Sequence, residues 1–186
     1  MKTFLKKKWG DILFLVVILL LIVPQTRMPI QIFVQRLISF SPSEIAEKDR
    51  NVLNDYEWRL SDNNGDLVNF SSSKGNVIII NFWATWCPPC RAEMPSLQAL
   101  YTKYKEDVDF YFVTQEDRGL VDTFLKKYNY DLPVFFEMQN SPDLLNAQSL
   151  PTTFLISKDG EIIIRKTGVA NWDSDAMHTL LERLTE

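Results

Sequence analysis

The two cysteines of this chain, Cys87 and Cys90, stand in a Cys-Pro-Pro-Cys motif, and their type and spacing indicate thiol–disulfide chemistry. The apolar run from Val77 to Trp83 precedes the motif and is typical of a buried strand, while apolar residues spaced three and four apart follow it and predict a helix. At a helix N-terminus, free N–H groups and the helix dipole favour an anion, so a cysteine thiolate is a nucleophile near neutral pH. We expect Cys87, nearer the mouth of the site, to attack a disulfide and Cys90 to resolve the mixed disulfide.

A single CxxC motif also limits the kinds of site that are possible. Two cysteines cannot build a disulfide-stabilised mini-protein, and a zinc site would need two further ligands. The sequence therefore predicts no metal and no cofactor beyond the redox-active disulfide between Cys87 and Cys90. The net charge of −4 gives no reason to expect a nucleic-acid partner.

Glu93 is the predicted proton acceptor for the thiols. It stands three residues after Cys90, which is one helical turn further on and on a nearby face. If Glu93 is buried beneath the sulfurs, its pKa will rise and it can exchange a proton with Cys90. The alternative is a solvated carboxylate on the helix surface.

The N-terminal segment has the pattern of a membrane anchor. Lys2 and the lysines at 6–8 precede an uninterrupted apolar run at 12–23, which is shorter than the roughly 20 residues of a spanning helix. Extension back to Phe4 supplies that length if the lysines snorkel. No small-x-small cleavage site follows, so we expect an uncleaved anchor rather than a signal peptide. The lysines place the N-terminus in the cytoplasm and the following domain outside.

The chain is accordingly predicted to divide at two positions. Residues 1–29 hold the lysine cluster and the anchor, residues 30–55 form a juxtamembrane amphipathic segment and a linker, and residues 56–186 form the domain. Three placements are open for residues 30–40: along the membrane surface, packed on the domain, or continuing the anchor.

Strand and helix patterns alternate through the domain and predict an α/β fold. A central sheet with parallel strands at its core is covered on both faces, an N-terminal β-hairpin precedes it, and a later hairpin adds antiparallel strands. The predicted strands lie at 58–60, 67–70, 77–83, 107–114, 132–136, 152–156 and 161–167, and the predicted helices lie at 88–105, 120–128 and 173–184.

Two stretches, NFWATWCPPCRAEMP at 81–95 and LPTTFLISKDG at 150–160, resemble thioredoxin-fold proteins of the membrane-anchored TlpA/ResA/CcmG type. The resemblance covers about residues 56–186. It implies a thioredoxin fold on the outer side of a bacterial cytoplasmic membrane, with Pro151 as a cis-proline that faces the disulfide. It also implies that Glu93 matches the acidic residue that these proteins carry after the second cysteine. Ordinary thioredoxins have a buried aspartate at the position of Asn81, and an asparagine cannot accept a proton.

The same resemblance implies a reductive activity with protein partners. Proteins of this type keep client cysteines reduced, often the Cys-x-x-Cys-His of apocytochromes c during haem attachment, and a membrane thiol transporter supplies the electrons. The residues expected to contact substrate are Trp86, Pro88, Pro89, Leu150 and Pro151.

Three other functions are compatible with the motif. One is a binding or assembly module in which the disulfide is structural and permanently closed. Another is a disulfide-forming oxidase on the same fold, because the two prolines between the cysteines give no firm sign of the redox potential. A peroxide-reducing enzyme is the weakest alternative, because the chain has no spare cysteine.

Overall fold

The computed structural model describes the backbone of residues 2–186 and the side chains outside residues 2–8, 21 and 24. Met1 and the side chains of the predicted lysine cluster lie outside the described residues. The helices are α1 Lys2–Ile22, α2 Pro24–Leu37, α3 Pro88–Tyr104, α4 Arg118–Tyr128 and α5 Asp175–Thr185. The strands are β1 Arg59–Ser61, β2 Leu67–Asn69, β3 Val77–Phe82, β4 Val108–Thr114, β5 Val134–Glu137, β6 Thr152–Ile156 and β7 Ile162–Thr167.

The seven strands form one mixed sheet in the order β2-β1-β5-β4-β3-β6-β7. The central strands β3, β4 and β5 are parallel, and the hairpins β1–β2 and β6–β7 lie antiparallel at the two edges. Every residue of β3 is buried, as expected for a run of Val and Ile between two neighbouring strands. The predicted thioredoxin fold, with a mixed sheet flanked by helices, is therefore confirmed.

Side chains of successive β3 residues point to opposite faces of the sheet and enter two different apolar clusters. Val77 and Ile79 pack in the cluster that receives α3, α4 and α5. Ile78 and Ile80 pack in the other cluster, which the chain from residue 53 to residue 70 covers with aromatic side chains. The Phe70 ring in that cluster contacts the rings of Tyr56, Trp58 and Tyr111 at centroid distances of 5.1–5.5 Å. Both faces of the sheet are thus covered, one by the helices α3, α4 and α5 and the other by the chain from residue 53 to residue 70.

Residues 41–54, the polar part of the predicted juxtamembrane segment and linker, lie along the domain. The Ile45 amide donates to a β7 carbonyl at 2.8 Å, and the Leu53 amide donates to the Gly160 carbonyl at 2.8 Å. Leu53 is buried, which explains why this polar segment is held against the sheet. Gly160 has φ +82°, and a Cβ there would lie 2.9 Å from the Leu53 carbonyl, so this contact also requires glycine.

The chain bends sharply between α1 and α2. The segments Trp9–Leu20 and Gln25–Leu37 lie at 89° to each other. Among the described residues no single helix has both the length and the apolar composition that a membrane crossing needs, although these two segments taken together meet both criteria. Helix α2, which contains residues 30–37, packs on α3 of the domain.

Candidate active site

Cys87 and Cys90 form a disulfide at the N-terminus of α3, with their Cα atoms 5.3 Å apart. Cys87 is the N-cap residue, and its Sγ accepts a hydrogen bond from the Cys90 amide at 3.2 Å. Pro88 and Pro89 occupy the first helical positions, where their missing N–H groups have no helical partner to lose. Among the described residues no group of three or more His, Cys, Asp or Glu side chains could hold a metal ion.

The two sulfurs lie beneath the surface, while a neighbouring aromatic side chain lies on it. Cys90 is fully buried and Cys87 is 3% exposed, whereas Trp86 is 64% exposed. A partner protein therefore meets Trp86 before it reaches Cys87. Both cysteines are buried in the disulfide form, and the roles of an attacking and a resolving cysteine stay a prediction.

A carboxylate that the sequence analysis did not identify holds the loop between β3 and α3. Glu116 accepts hydrogen bonds from the backbone amide of Thr85 and from its hydroxyl, the latter at 2.7 Å. Glu116 follows β4, which pairs with β3, so the sheet brings it next to a loop 31 residues earlier in the chain. No local sequence pattern signals this contact.

The peptide bond between Leu150 and Pro151 is cis, as the family resemblance implied. Strand β6 starts directly after it and pairs antiparallel with β3, with Thr152 opposite Phe82. Pro151 consequently lies at the same end of the sheet as the disulfide.

A cleft of about 570 Å³ begins at this end of the sheet. Trp86 and Leu150 form part of its wall, and three carboxylic acids, Glu116, Glu137 and Asp143, also line it. Two of the predicted contact residues therefore share one surface with an acidic lining. Such a lining favours a cationic segment of a partner.

Glu93 is 1% exposed, so it is not the solvated helix carboxylate that the sequence also allowed. Three donors surround its carboxyl group. The Asn81 side-chain amide donates to Oε1 at 2.9 Å, and the Trp172 indole and the Ala170 amide donate to Oε2 at 3.0 Å and 3.2 Å. Burial raises the pKa of Glu93 to about 7, and these hydrogen bonds together with the charge of Lys166 limit the rise. Near neutral pH the group is therefore divided between its charged and neutral forms.

Asn81 connects this carboxyl to the strand behind Pro151. Its side-chain amide also donates to the Thr153 hydroxyl at 2.7 Å, and Thr153 is the second residue of β6. Asn81 was expected to matter only because it cannot accept a proton. The structure shows that the Asn81 side-chain amide donates a hydrogen bond to Glu93 and so orients its carboxyl group. Trp172, which lies 79 residues after Glu93, carries no sequence signal for its contact.

The model of the Redoxin family matches residues 48–181 of this chain. The thiol-disulfide oxidoreductase ResA of Oceanobacillus iheyensis is 41% identical over 98 residues, which are 51% of this chain and 51% of the relative. ResA of Bacillus subtilis is 35% identical over 112 residues, which are 59% of this chain and 63% of the relative. The chain thus spans between half and two thirds of the length of these curated relatives.

One solved structure similar to this fold is StoA from Bacillus subtilis. Its TM-score is 0.53 at 26% identity, over 69% of this chain and 96% of that chain. These comparisons confirm the resemblance to thioredoxin-like proteins of the TlpA/ResA/CcmG type that residues 81–95 and 150–160 indicated, and the membrane anchor stays a prediction.

Proposed function

This chain belongs to the redoxin family, and we propose that it is a thiol–disulfide oxidoreductase that reduces disulfides of client proteins through Cys87 and Cys90. One observation carries the proposal. A closed cysteine pair lies at a helix N-terminus, and a buried carboxyl group with a pKa of about 7, Glu93, lies one helical turn further on. A permanently closed structural disulfide would need no titratable group beside it.

The reaction starts from the dithiol form of the protein. The Cys87 thiolate attacks one sulfur of a client disulfide, and the client's other sulfur leaves as a thiolate. The Cys90 sulfur then attacks Cys87, which closes the Cys87–Cys90 disulfide and releases the second client thiol. Two electrons pass from the pair to the client, and the two client sulfurs leave as thiolates that take up protons from the solvent.

Glu93 has a defined part in the second step. Cys90 is buried, so creating a thiolate there beside an ionised carboxylate would place two negative charges in an apolar site. If the ionised Glu93 takes the Cys90 proton, the site carries one negative charge throughout. A carboxyl group with a pKa near the working pH is suited to this transfer.

The proposal includes a location and partners. The apolar run at 12–23 anchors the protein in the cytoplasmic membrane, the lysine cluster keeps the N-terminus in the cytoplasm, and the domain lies outside. A membrane thiol transporter re-reduces the pair, because the outside is oxidising. Client proteins present cysteines in cationic segments to the acidic cleft beside Trp86, and the Cys-x-x-Cys-His segments of apocytochromes c are the proposed class of client.

Two oxidised peptides test the activity and the client class together. Each contains Cys-Ala-Ala-Cys-His closed as a disulfide, with lysines flanking the motif in one and glutamates in the other. We expect the reduced full-length protein to reduce both, and the lysine peptide faster, with the difference shrinking as salt is added. The Cys90→Ala variant should stop at a mixed disulfide on Cys87, and Cys87→Ser should be inactive. Full turnover by Cys87→Ser would refute the activity, and equal rates for the two peptides would refute the preference for clients with cationic segments.

A further inference from the structure

Helix α2 lies directly beside the redox site. The Arg36 side chain donates to the Ala92 carbonyl at 3.2 Å and to the Arg91 carbonyl at 3.4 Å, immediately after Cys90 in α3. The Arg91 side chain in turn contacts the sulfur of Met28. Helix α2 is thus attached to the active-site helix.

The orientation of α2 is the reverse of that of an ordinary surface helix. A helix on a globular protein usually turns its apolar side towards the core. Here the inward stripe is half-buried and contains two glutamines: Met28, Gln31, Ile32 and Gln35. Gln35 has a buried Oε1 with no hydrogen-bond partner among the described residues.

The outward side of the last two turns of α2 is apolar. Ile30, Val34 and Leu37 have the spacing i, i+4 and i+7, so they share one face, and their exposed fractions lie between 38% and 70%. Phe33, at the edge of this stripe, is 63% exposed and also lines the cavity between α2 and the domain, and the exposed Arg27 precedes the stripe on the same face. An exposed apolar stripe of this kind marks a surface that another phase or molecule covers.

The connection to α1 indicates which phase covers it. Large apolar side chains are exposed along the whole of Trp9–Leu20, which directly precedes α2. The two helical segments lie at 89°, so when α1 runs along the membrane normal, α2 lies in the membrane plane. An in-plane helix buries one apolar face about 5–10 Å into the boundary between head groups and acyl chains.

We propose that α2 is bound on both sides: its outward stripe of Ile30, Val34 and Leu37 lies in the bilayer interface, and its inward stripe holds α3. This inference rests on the membrane location given under the proposed function. It adds that the domain does not move on a free tether. The N-terminus of α3 is held in a fixed orientation, one helix diameter or ~10 Å from the bilayer. That placement favours exchange with a thiol or disulfide close to the membrane surface.

Two residues on opposite sides of α2 provide a matched test of the two contacts: Val34 is 47% exposed, whereas Ile32 lines the cavity between α2 and the domain. The full-length protein is placed in nanodiscs of phosphatidylethanolamine and phosphatidylglycerol, with photoreactive p-benzoylphenylalanine in place of either Val34 or Ile32. After irradiation and mass spectrometry, we expect lipid adducts from position 34 and links to the protein's own domain from position 32. Adducts of twice the protein mass from position 34 would assign the stripe to a second copy and overturn the proposal. Absence of lipid adducts at 34, or equal lipid labelling at both positions, would also overturn it.

A second experiment tests the consequence for the redox site. Leu37→Glu places a charge on the outward stripe, and Leu67→Glu places the same charge on β2, where the leucine is similarly exposed, 72% against 70%. Both variants are placed in vesicles and assayed for reduction of an oxidised peptide, which is either soluble or attached to a lipid head group of those vesicles. We expect Leu37→Glu to lower the ratio of lipid-attached to soluble rates at least threefold and Leu67→Glu to leave it unchanged.

The two levels of the proposal fail in different ways. An unchanged ratio in Leu37→Glu, with soluble peptide still reduced, overturns the fixed orientation alone. Failure of the unsubstituted protein to reduce either peptide overturns the proposed activity, and the photochemical links then still decide where α2 lies.

Discussion

Replacing Glu93 by glutamine removes a titrating carboxyl group and leaves its surroundings able to adapt. The glutamine oxygen can accept from Trp172 and Ala170 in the place of Oε2. The Asn81 amide can rotate so that its oxygen accepts from the new amide group and from the Thr153 hydroxyl. The variant should therefore fold, and its difference from the natural protein should be mainly a matter of charge.

The expected magnitude follows from the pKa. Burial raises the pKa of Glu93 from an ordinary 4.5 to about 7, so the folded state binds the proton more tightly than the unfolded state does. The stability that this proton provides is fully present below about pH 4.5 and is lost as the pH rises to about 7. At 1.36 kcal/mol per pKa unit the loss is about 3 kcal/mol.

The assay is urea unfolding of the two oxidised proteins across this pH range. All other titrating groups are common to both, so they largely cancel in the difference between the two free energies of unfolding. We expect the stability of the natural protein, relative to Glu93→Gln, to fall by about 3 kcal/mol between pH 4 and pH 8. The rate of disulfide exchange should change with an apparent pKa near 7 in the natural protein and lose that inflection in the variant. A stability difference that does not vary with pH would refute the raised pKa, and an unchanged rate profile would remove Glu93 from the mechanism.

Three further substitutions have definite outcomes. Trp172→Phe removes a hydrogen bond that lowers the pKa of Glu93, so the inflection of the exchange rate should move to higher pH and urea unfolding should show a loss of about 1–3 kcal/mol; an inflection at lower pH would contradict this. Asn81→Asp places a second carboxyl 2.9 Å from the first, and because both cannot ionise, its stability should fall more steeply than that of the natural protein as pH rises from 6 to 9 in the same assay; parallel curves would argue against the contact. Glu116→Gln leaves one acceptor for the two Thr85 donors and should lower stability by about 1–2 kcal/mol in thermal unfolding, with faster amide exchange at Thr85; unchanged exchange there would show that Glu116 does not hold the loop.

Local patterns were sufficient to predict the fold and the centre of the site. The apolar run predicts the strand before Cys87, and the helical spacing of apolar residues predicts the helix after it. Both patterns are formed by residues that are close together in the sequence. Glu93 could be proposed because it lies one helical turn from Cys90. The environment of Glu93 could not be predicted, because Trp172 and Ala170 are distant in the sequence and contact Glu93 only in the folded chain.

Other features depended on contacts that composition obscures. Residues 41–54 are polar enough to predict a linker, yet the buried Leu53, backbone hydrogen bonds to the β6–β7 hairpin and ion pairs of Arg50 and Glu44 hold them on the domain. The apolar pattern of residues 30–40 was visible, but a sequence cannot tell which stripe of a helix turns inward. In α2 the stripe that turns inward is the more polar one.

The three donors around Glu93 come from parts of the chain that are far apart: β3, and the segment before α5 that contains Ala170 and Trp172. Local opening of any one of these would leave a buried carboxyl group without its partners, which is unfavourable. The end of the sheet, α3 and this C-terminal segment should therefore open together as one cooperative unit in native-state hydrogen exchange. The Ala170 amide proton is itself bonded to the carboxyl group, so its chemical shift would report both the opening of that unit and the protonation of Glu93.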